Sequence, residues 1–580
     1  MGCYADTYPF KAGDVVDVVV HGLSLDLSTS IYFLIVPFLV TVISLWSFIP
    51  KWVLRTYYVI AAILFSLAFV VDTSLYEFWL FKLDATCLQY LETPTEAMAS
   101  VSVWYILIRL LVILLSAIFI FWCYNRLTPV SCLLSPVSSL RHRITGSVVA
   151  LLLIPLLVIG IRGGLDESTT NIGQVYFSQD QFLNHSAVNP VFNFIDSFDT
   201  TANNQAAYHF MDDDECEHIV QELYNTESVG SDTLLTTQTP NIIVILLEGC
   251  GGSFTEIGGR TDITPNLNRL AAEGVYFTNC YGNSWRTDRG TVCTWSGYPS
   301  FPTLSVMKMP SKTRSLPNIA KTLKDERDYD THYLYGGDIN FTNMRSYLIA
   351  GGFEQLTWKE DYTADEQKTA KWGVRDDITF STLYRLATTL PAPFLIGFST
   401  LSSHAPWDVP IRKFDDEVLN AFYYLDQCIG DFIKRFRQTT AWDNTLIIML
   451  PDHGIPYQGT DESDPLLNHI PMIWVGGAVK EHRRIEQVCN QTDLPATLLG
   501  QLGLAHHQFR FSRDVMSKTY TRPFAIHTHT EGFSLIDSTG FVNYDLKSDR
   551  ISCERGTRNP LFIPWGRAIL QAAAKDLNER

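Results

Sequence analysis

Basic residues are scarce in this chain. Against 61 Asp and Glu it carries 44 Lys and Arg, a formal charge of −17 with a sequence pI near 5.3. That balance excludes a nucleic-acid partner, which needs a basic face. Cys-x-x-Cys spacing is absent as well. The 11 cysteines are odd in number and scattered, so no disulfide can be paired from their order. Residues 1–30 lack the apolar core of about 7–15 residues that a cleaved secretory signal carries. The export signal is therefore expected to be a membrane helix that is retained.

Apolar residues, by contrast, crowd into residues 1–165 and lift the mean hydropathy to +0.05. Four stretches, 30–49, 53–71, 103–123 and 146–160, approach the roughly 20 residues that cross a bilayer. Lys51 and Arg55 lie between the first two, and Arg126, Arg141 and Arg143 between the last two. The loop 72–100 instead holds Glu77, Asp84, Glu92 and Glu96 against Lys82. The positive-inside bias places the basic loops in the cytoplasm. The chain is thus expected to start and finish outside a bacterial cytoplasmic membrane, and the outside start leaves room for a further span ahead of the first. Cys216, Cys250, Cys280, Cys293, Cys428, Cys489 and Cys553 fall in the exported part, where disulfides are permitted. Cys250 and Cys293 flank the candidate site and read as small buried hydrophobes.

After the spans the expected divisions are a transmembrane domain over 1–164, a juxtamembrane linker with short helices over 165–238, a catalytic domain over 239–530, and a C-terminal hairpin and helix over 531–580. The acidic run Asp212, Asp213, Asp214 and Glu215 reads as a helix first turn, where negative charge suits the dipole. The string NIIVILLE over 241–248 is apolar without alternation, as in a strand covered on both faces. Three further runs, 331–335, 394–400 and 445–450, repeat it. The fold class is α/β: a multi-span helical membrane domain, then an exported α/β/α domain with a mostly parallel central sheet. If the four runs are parallel neighbours, Glu248, Asp338, His404, Asp452 and His453 converge on one edge, just past the strand ends where α/β sheets do their chemistry.

Two carboxylates, an imidazole and a hydroxyl would suit a hard or borderline divalent cation such as Mn²⁺, Mg²⁺ or Zn²⁺, held by Glu248, Asp452, His453 and Thr287. Coordination lowers the pKa of a hydroxyl and makes it a nucleophile. Arg286 and Arg289 flank Thr287 and could pair with an anionic group, and His404 could protonate a leaving oxygen. Spacing alone leaves Glu248 open to a helix-capping role and the Asp452 and His453 pair to a structural one. His527 and His529 read as structural.

The strings NIIVILLE over 241–248, TDITPNLNRLAAEG over 261–274, PDHG over 451–454 and HIP over 469–471 resemble the sulfatase-type catalytic domain of the alkaline phosphatase superfamily. The layout of membrane spans before an exported domain resembles the lipoteichoic acid synthases and the phosphoethanolamine transferases of the cell envelope. The resemblance implies a metal-dependent phosphotransferase that moves a phospholipid head group, phosphoglycerol or phosphoethanolamine, to an envelope lipid or glycan through a phospho-threonine intermediate. It makes Glu248, Thr287, Asp452 and His453 the metal ligands and Thr287 the nucleophile. His404, with Arg286, Arg289, Asp338 and His469, would line the substrate site, and a second metal near His404 and His469 stays open. The alternatives are a hydrolase of the same family, either a phosphodiesterase or an atypical sulfatase, and a non-catalytic envelope scaffold. Two departures stand out. Sulfatases carry a Cys or Ser in a C/S-x-P-x-R motif, whereas the equivalent stretch here reads TDRGT over 287–291. Lipoteichoic acid synthases carry a Trp and an Arg in the loop after the strand ending at Tyr335, where Thr342 and Met344 stand in this chain; this weighs against phosphoglycerol.

Overall fold

Apolar runs too long for strands become helices in the first part of the chain. The computed structural model describes residues 1–5, 8–79, 82–85, 87–88, 103–127, 139–166, 168–178, 180–200, 207–224, 229–458, 460, 464–557 and 559–580. It resolves into two units, Met1–Ala202 and Asn203–Arg580. The first unit contains α1 (Ala12–Ser44), α2 (Lys51–Trp79), α3 (Val103–Leu127) and α4 (Leu140–Arg162). All four are long and apolar enough to cross a membrane. Helix α1 packs along α4, and α2 along α3. Leu151 and Leu152 on α4 are 66% and 68% exposed, which is what a helix facing hydrocarbon presents and a soluble one avoids.

The helices outrun the stretches read from hydropathy, α1 most of all: it was expected from residue 30 and starts at Ala12. Asp14, Asp17 and Asp26 interrupt the apolar run without interrupting the helix. Asp14 accepts from the Lys11 amide at 2.6 Å at the helix start, where a carboxylate is favourable. Asp26 accepts from Asn189 at 2.6 Å. Glu92, Glu96 and Cys132, and the side chain of Glu77, lie outside the described residues.

The second unit is built on β1 (Asn241–Leu247), every residue of which is buried. Ile243, Ile245 and Leu247 join one core and Ile242, Val244 and Leu246 the other, the two-residue period of a strand between two helical layers. Its companions are β2 (Val275–Tyr281), β3 (Asp330–Tyr335), β4 (Gln355–Thr357), β5 (Phe394–Ser399), β6 (Thr445–Pro451), β7 (His469–Val475), β8 (Arg483–Ile485) and β9 (Cys489–Asn490). The strand order is β4-β3-β5-β1-β6-β7-β2-β8, with β9 also paired to β2. From β4 to β6 neighbours are parallel. Strand β7 runs antiparallel to both β6 and β2. The four runs read from sequence are thus the adjacent strands β3, β5, β1 and β6.

The helices of this unit include α5 (Asp213–Leu223), α6 (Pro265–Glu273), α7 (Thr287–Ser296), α8 (Asp376–Thr389), α9 (Glu417–Phe436) and α10 (Phe562–Glu579). Asp212 caps α5 by accepting from the Asp214 amide at 3.0 Å. The free amides that open α6 are met from outside by Asp426, which accepts from Asn266 and Leu267 at 3.0 and 2.8 Å. The C-terminal hairpin lies within a four-stranded antiparallel sheet of β10 (Ala525–His529), β11 (Gly532–Ile536), β12 (Gly540–Asp545) and β13 (Arg550–Gly556). Helix α10 packs on β11, and the approach is close: a Cβ on Gly566 would fall 2.0 Å from the Phe533 ring.

Candidate active site

A parallel strand buried on both faces delivers its next residue at the carboxyl edge of the sheet. Strand β1 delivers Glu248 there, and β6 delivers Asp452 and His453. The three are 7%, 1% and 7% exposed, and each offers a ligand atom within 4.8 Å of the others. Thr287, the first residue of α7, completes the group. Its hydroxyl donates to Glu248 Oε2 at 3.1 Å and lies 3.3 Å from His453 Nε2. His453 Nε2 is 3.5 Å from Glu248 Oε1 and 3.6 Å from Asp452 Oδ2. The His453 Nδ1–H donates to the Gly454 carbonyl at 2.9 Å, which turns Nε2 inward as an acceptor.

Burial, then the neighbouring Asp452, pushes the Glu248 carboxyl well above the usual carboxylate range, and the Thr287 hydrogen bond opposes this only in part. Among the described residues no Lys or Arg forms an ion pair with either carboxylate. Two buried carboxylates and an imidazole that face one another without a cationic side chain fit a divalent cation.

Two fully buried polar side chains assemble this edge. Gln491 donates through its amide to the carbonyls of Asp452 at 2.9 Å and Pro451 at 3.2 Å, and to Thr294 Oγ1 at 3.1 Å. It therefore ties the end of β6 to α7. Asn283 holds the turn before Thr287. It donates to Asn490 Oδ1 at 2.8 Å and to the Ile526 carbonyl at 3.1 Å, and accepts at its side-chain oxygen from the Ser300 amide at 2.8 Å. The Thr528 amide in β10 donates to the Asn283 carbonyl at 2.9 Å. Helix α7 and the Asp452 backbone approach so closely that a Cβ on Gly290 would sit 2.1 Å from the Asp452 carbonyl oxygen.

The remaining predicted site residues ring this edge. Arg286 is exposed, and its guanidinium and that of Arg289 lie 4.8 and 4.7 Å from the centre of the Trp285 ring. Arg289 is engaged: it donates to the Phe301 carbonyl at 3.3 Å and pairs with Asp288 at 3.6 Å. Burial pulls its pKa below the usual guanidinium value, against the pull of Asp288. His404 follows Ser403, whose hydroxyl donates to the Glu248 carbonyl at 2.7 Å. Its own Nδ1–H donates to Ala405 at 2.8 Å, and its ring meets Trp372 edge-on at 4.9 Å. The loop that carries it is pinned by Asp376, which accepts from the Leu401 and Ser402 amides at 2.9 and 3.0 Å. Asp338 accepts from the Asn340 amide at 2.9 Å. His469 stacks on Tyr281 at 4.7 Å and donates through Nε2 to the Thr278 carbonyl at 2.7 Å. Burial lowers its pKa. Glu248, Thr287, Asp452 and His453 are the four brought into one cluster.

In the loop after β3, Met344 is 2% exposed and belongs to the core. The cationic side chain of that segment is Arg345, 5.8 Å from the centre of the Trp358 ring. An arginine and a tryptophan therefore do meet here, though at positions other than 342 and 344. Sequence reasoning missed Asn283, Gln491 and Asp376. His527 is fully buried, with Nδ1 bonded to the Gly282 carbonyl at 2.9 Å.

Residues 240–504 match the model of the sulfatase family. A protein of the alkaline phosphatase superfamily from Vibrio parahaemolyticus superposes with a TM-score of 0.57 at 25% identity, over 65% of this chain and 98% of that one. This part of the chain is therefore a sulfatase-family domain of the alkaline phosphatase superfamily. The chain is also 26% identical to lipoteichoic acid synthase 2 of Bacillus subtilis, over 48% of each chain. It is 23% identical to phosphoglycerol transferase I of Xanthomonas campestris, over 48% of this chain and 43% of that one. The chain spans about half the length of the curated relatives it matches.

Proposed function

We propose that the chain is a membrane-anchored, metal-dependent phosphotransferase that moves a phospholipid head group to an envelope lipid or glycan through Thr287. One observation carries this reading: the Thr287 hydroxyl opens a helix while lying 3.1 Å from Glu248 and 3.3 Å from His453. A structural threonine at a helix start has no need of a buried acid and an imidazole. A divalent cation held by Glu248, Thr287, Asp452 and His453, with Mn²⁺, Mg²⁺ and Zn²⁺ all suited to the donors, supplies Lewis acidity to the hydroxyl and offsets charge on the phosphoryl oxygens when bound.

The chain's own residues do the rest. The N-terminus of α7 aims its unpaired amides at the incoming anion, and Arg286 lies beside it. Thr287 Oγ1 gives up its proton to solvent as it forms a bond to phosphorus and the bond from phosphorus to the diacylglycerol oxygen breaks, and it takes a proton back from solvent when the second half frees it. The Nδ1 bond of His404 to Ala405 leaves Nε2 to carry a proton to that oxygen. In the second half an acceptor hydroxyl attacks phosphorus, its proton returns through the same imidazole, and the Thr287 hydroxyl is regenerated. Phosphoglycerol is the group to test first, because one curated relative is named phosphoglycerol transferase I and the segment after β3 sets a cation, Arg345, against Trp358. The helices tether the domain to the bilayer that holds the donor, on its outer side by the charge of the loops.

The test is the mass of the peptide carrying Thr287, taken from the full chain incubated with Mn²⁺ and phosphatidylglycerol or phosphatidylethanolamine in turn. A head-group adduct on Thr287 is expected. Turnover of lipid with Thr287 unmodified at every time point would overturn the reading. Full-rate release of free head group with no acceptor present would make the enzyme a hydrolase instead.

A further inference from the structure

We propose that Cys280 and Cys489 are joined as a disulfide in the mature protein, locking the segment that carries Gln491 onto the central sheet. The two cysteines are direct partners in the parallel pairing of β2 with β9, one rung before Tyr281 and Asn490. Partners in neighbouring strands place both side chains on the same face, at a backbone spacing that a disulfide can bridge. Both side chains are fully buried. The other described cysteines do not pair in this way: Cys216 donates to the Ala568 carbonyl and Cys293 to Asn283.

The position gives the bond a purpose. Strand β9 has two residues, too few for ladder hydrogen bonds alone to hold it. Yet it leads directly into Gln491 and its amide bond to Asp452, and Asn490 donates to the Tyr281 carbonyl at 2.7 Å. A covalent rung at 280 and 489 fixes the register of β9 and hence the reach of Gln491.

The inference rests on the exported placement proposed above, since the oxidant is a disulfide-bearing carrier of an oxidising compartment. One cysteine thiolate attacks the carrier disulfide, forming a mixed disulfide and releasing one carrier thiol. The second cysteine then displaces the other carrier sulfur. Two protons leave the pair, and two electrons reduce the carrier to its dithiol. The neighbouring Cys280 thiol, then burial, raises the Cys489 pKa well above the ordinary thiol value once the fold is closed, so the bond forms while the chain is folding.

The experiment is a peptide map of the full chain, extracted from membranes with detergent, denatured and alkylated without reductant. A linked peptide pair containing Cys280 and Cys489 is expected, two hydrogen atoms lighter than the sum of its parts and lost on reduction. Cys250 and Cys293 should alkylate without reductant. Whether externally added protease cleaves the second unit in intact spheroplasts reads the placement separately. Protease cleavage together with alkylation of Cys280 and Cys489 overturns the disulfide alone, whereas protection from protease overturns the exported placement. A second arm does not depend on export: the full chain synthesised cell-free into lipid nanodiscs with oxidised glutathione. Linkage is expected there too, and its absence overturns the proposal.

Discussion

The side-chain amide of Gln491 donates to the Asp452 carbonyl at 2.9 Å and to Thr294 in α7 at 3.1 Å. A single buried side chain thereby sets the distance between a strand that supplies two candidate metal ligands and the helix that supplies the candidate nucleophile. Removing it leaves buried carbonyls without a donor, at a cost of about 1–3 kcal/mol. Gln491→Ala is therefore expected to weaken Mn²⁺ binding by roughly 10–100-fold, the usual effect of losing an outer support. Isothermal titration with Mn²⁺ checks this, and unchanged affinity in a folded variant would contradict it.

Gly290 tests the same junction from the helix side. Its missing Cβ is what lets α7 approach the Asp452 carbonyl, where an added methyl would sit at 2.1 Å. The three nearest atoms are all Asp452 backbone, so none can swing aside. Gly290→Ala should lower stability by about 1–3 kcal/mol and reduce bound metal in parallel, read as thermal unfolding midpoint and elemental analysis on one preparation.

Thr287 separates nucleophile from scaffold. Thr287→Ala should lower head-group transfer by about 10⁴-fold or more, as for other groups that act as a unit with their neighbours. Thr287→Ser keeps the hydroxyl and should retain measurable transfer, with the adduct now on serine. Labelled-lipid turnover with peptide mass analysis distinguishes the two, and equal rates for both variants would dismiss Thr287 as the attacking residue.

Acid should stabilise the second unit over a defined window. Burial pushes Asp376 up from 3.8 to about 6 against the Leu401 and Ser402 amides, and Asp426 to about 6 against Leu267 and Asn266. Below about pH 4 both are protonated whether folded or not, and this contribution is fully present. As pH rises towards 6 the unfolded chain releases protons that the folded chain keeps, so stability falls, by roughly 3 kcal/mol for each group. Asp376→Asn should flatten that part of the profile. Thermal unfolding midpoints at half-unit pH steps provide the measurement.

Much of the sheet was written plainly in the sequence. A run such as that of β1, apolar at every position, has few uses other than a strand with helices on both faces, and the side chain after it has to emerge at the edge. Glu248, Asp452 and His453 were legible for that reason. Gln491, Asn283 and Asp376 were not, because each is a lone polar residue whose partners are backbone groups far away in sequence, and no spacing announces such a contact. The start of α1 was hidden by its aspartates, which read as the end of an apolar stretch until Asn189 was seen to satisfy one of them. His469 stands at the expected end of the sheet, but its Nε2 is already bonded to the Thr278 carbonyl.

Asn283 has one more implication. The Ile526 carbonyl that receives its amide lies 243 positions further along the polypeptide. A ribosome that has just finished the sulfatase-like strands has not yet made the strand that steadies the turn ahead of Thr287. On the nascent chain Glu248, Thr287, Asp452 and His453 are consequently all present before β10 exists to steady the turn ahead of Thr287.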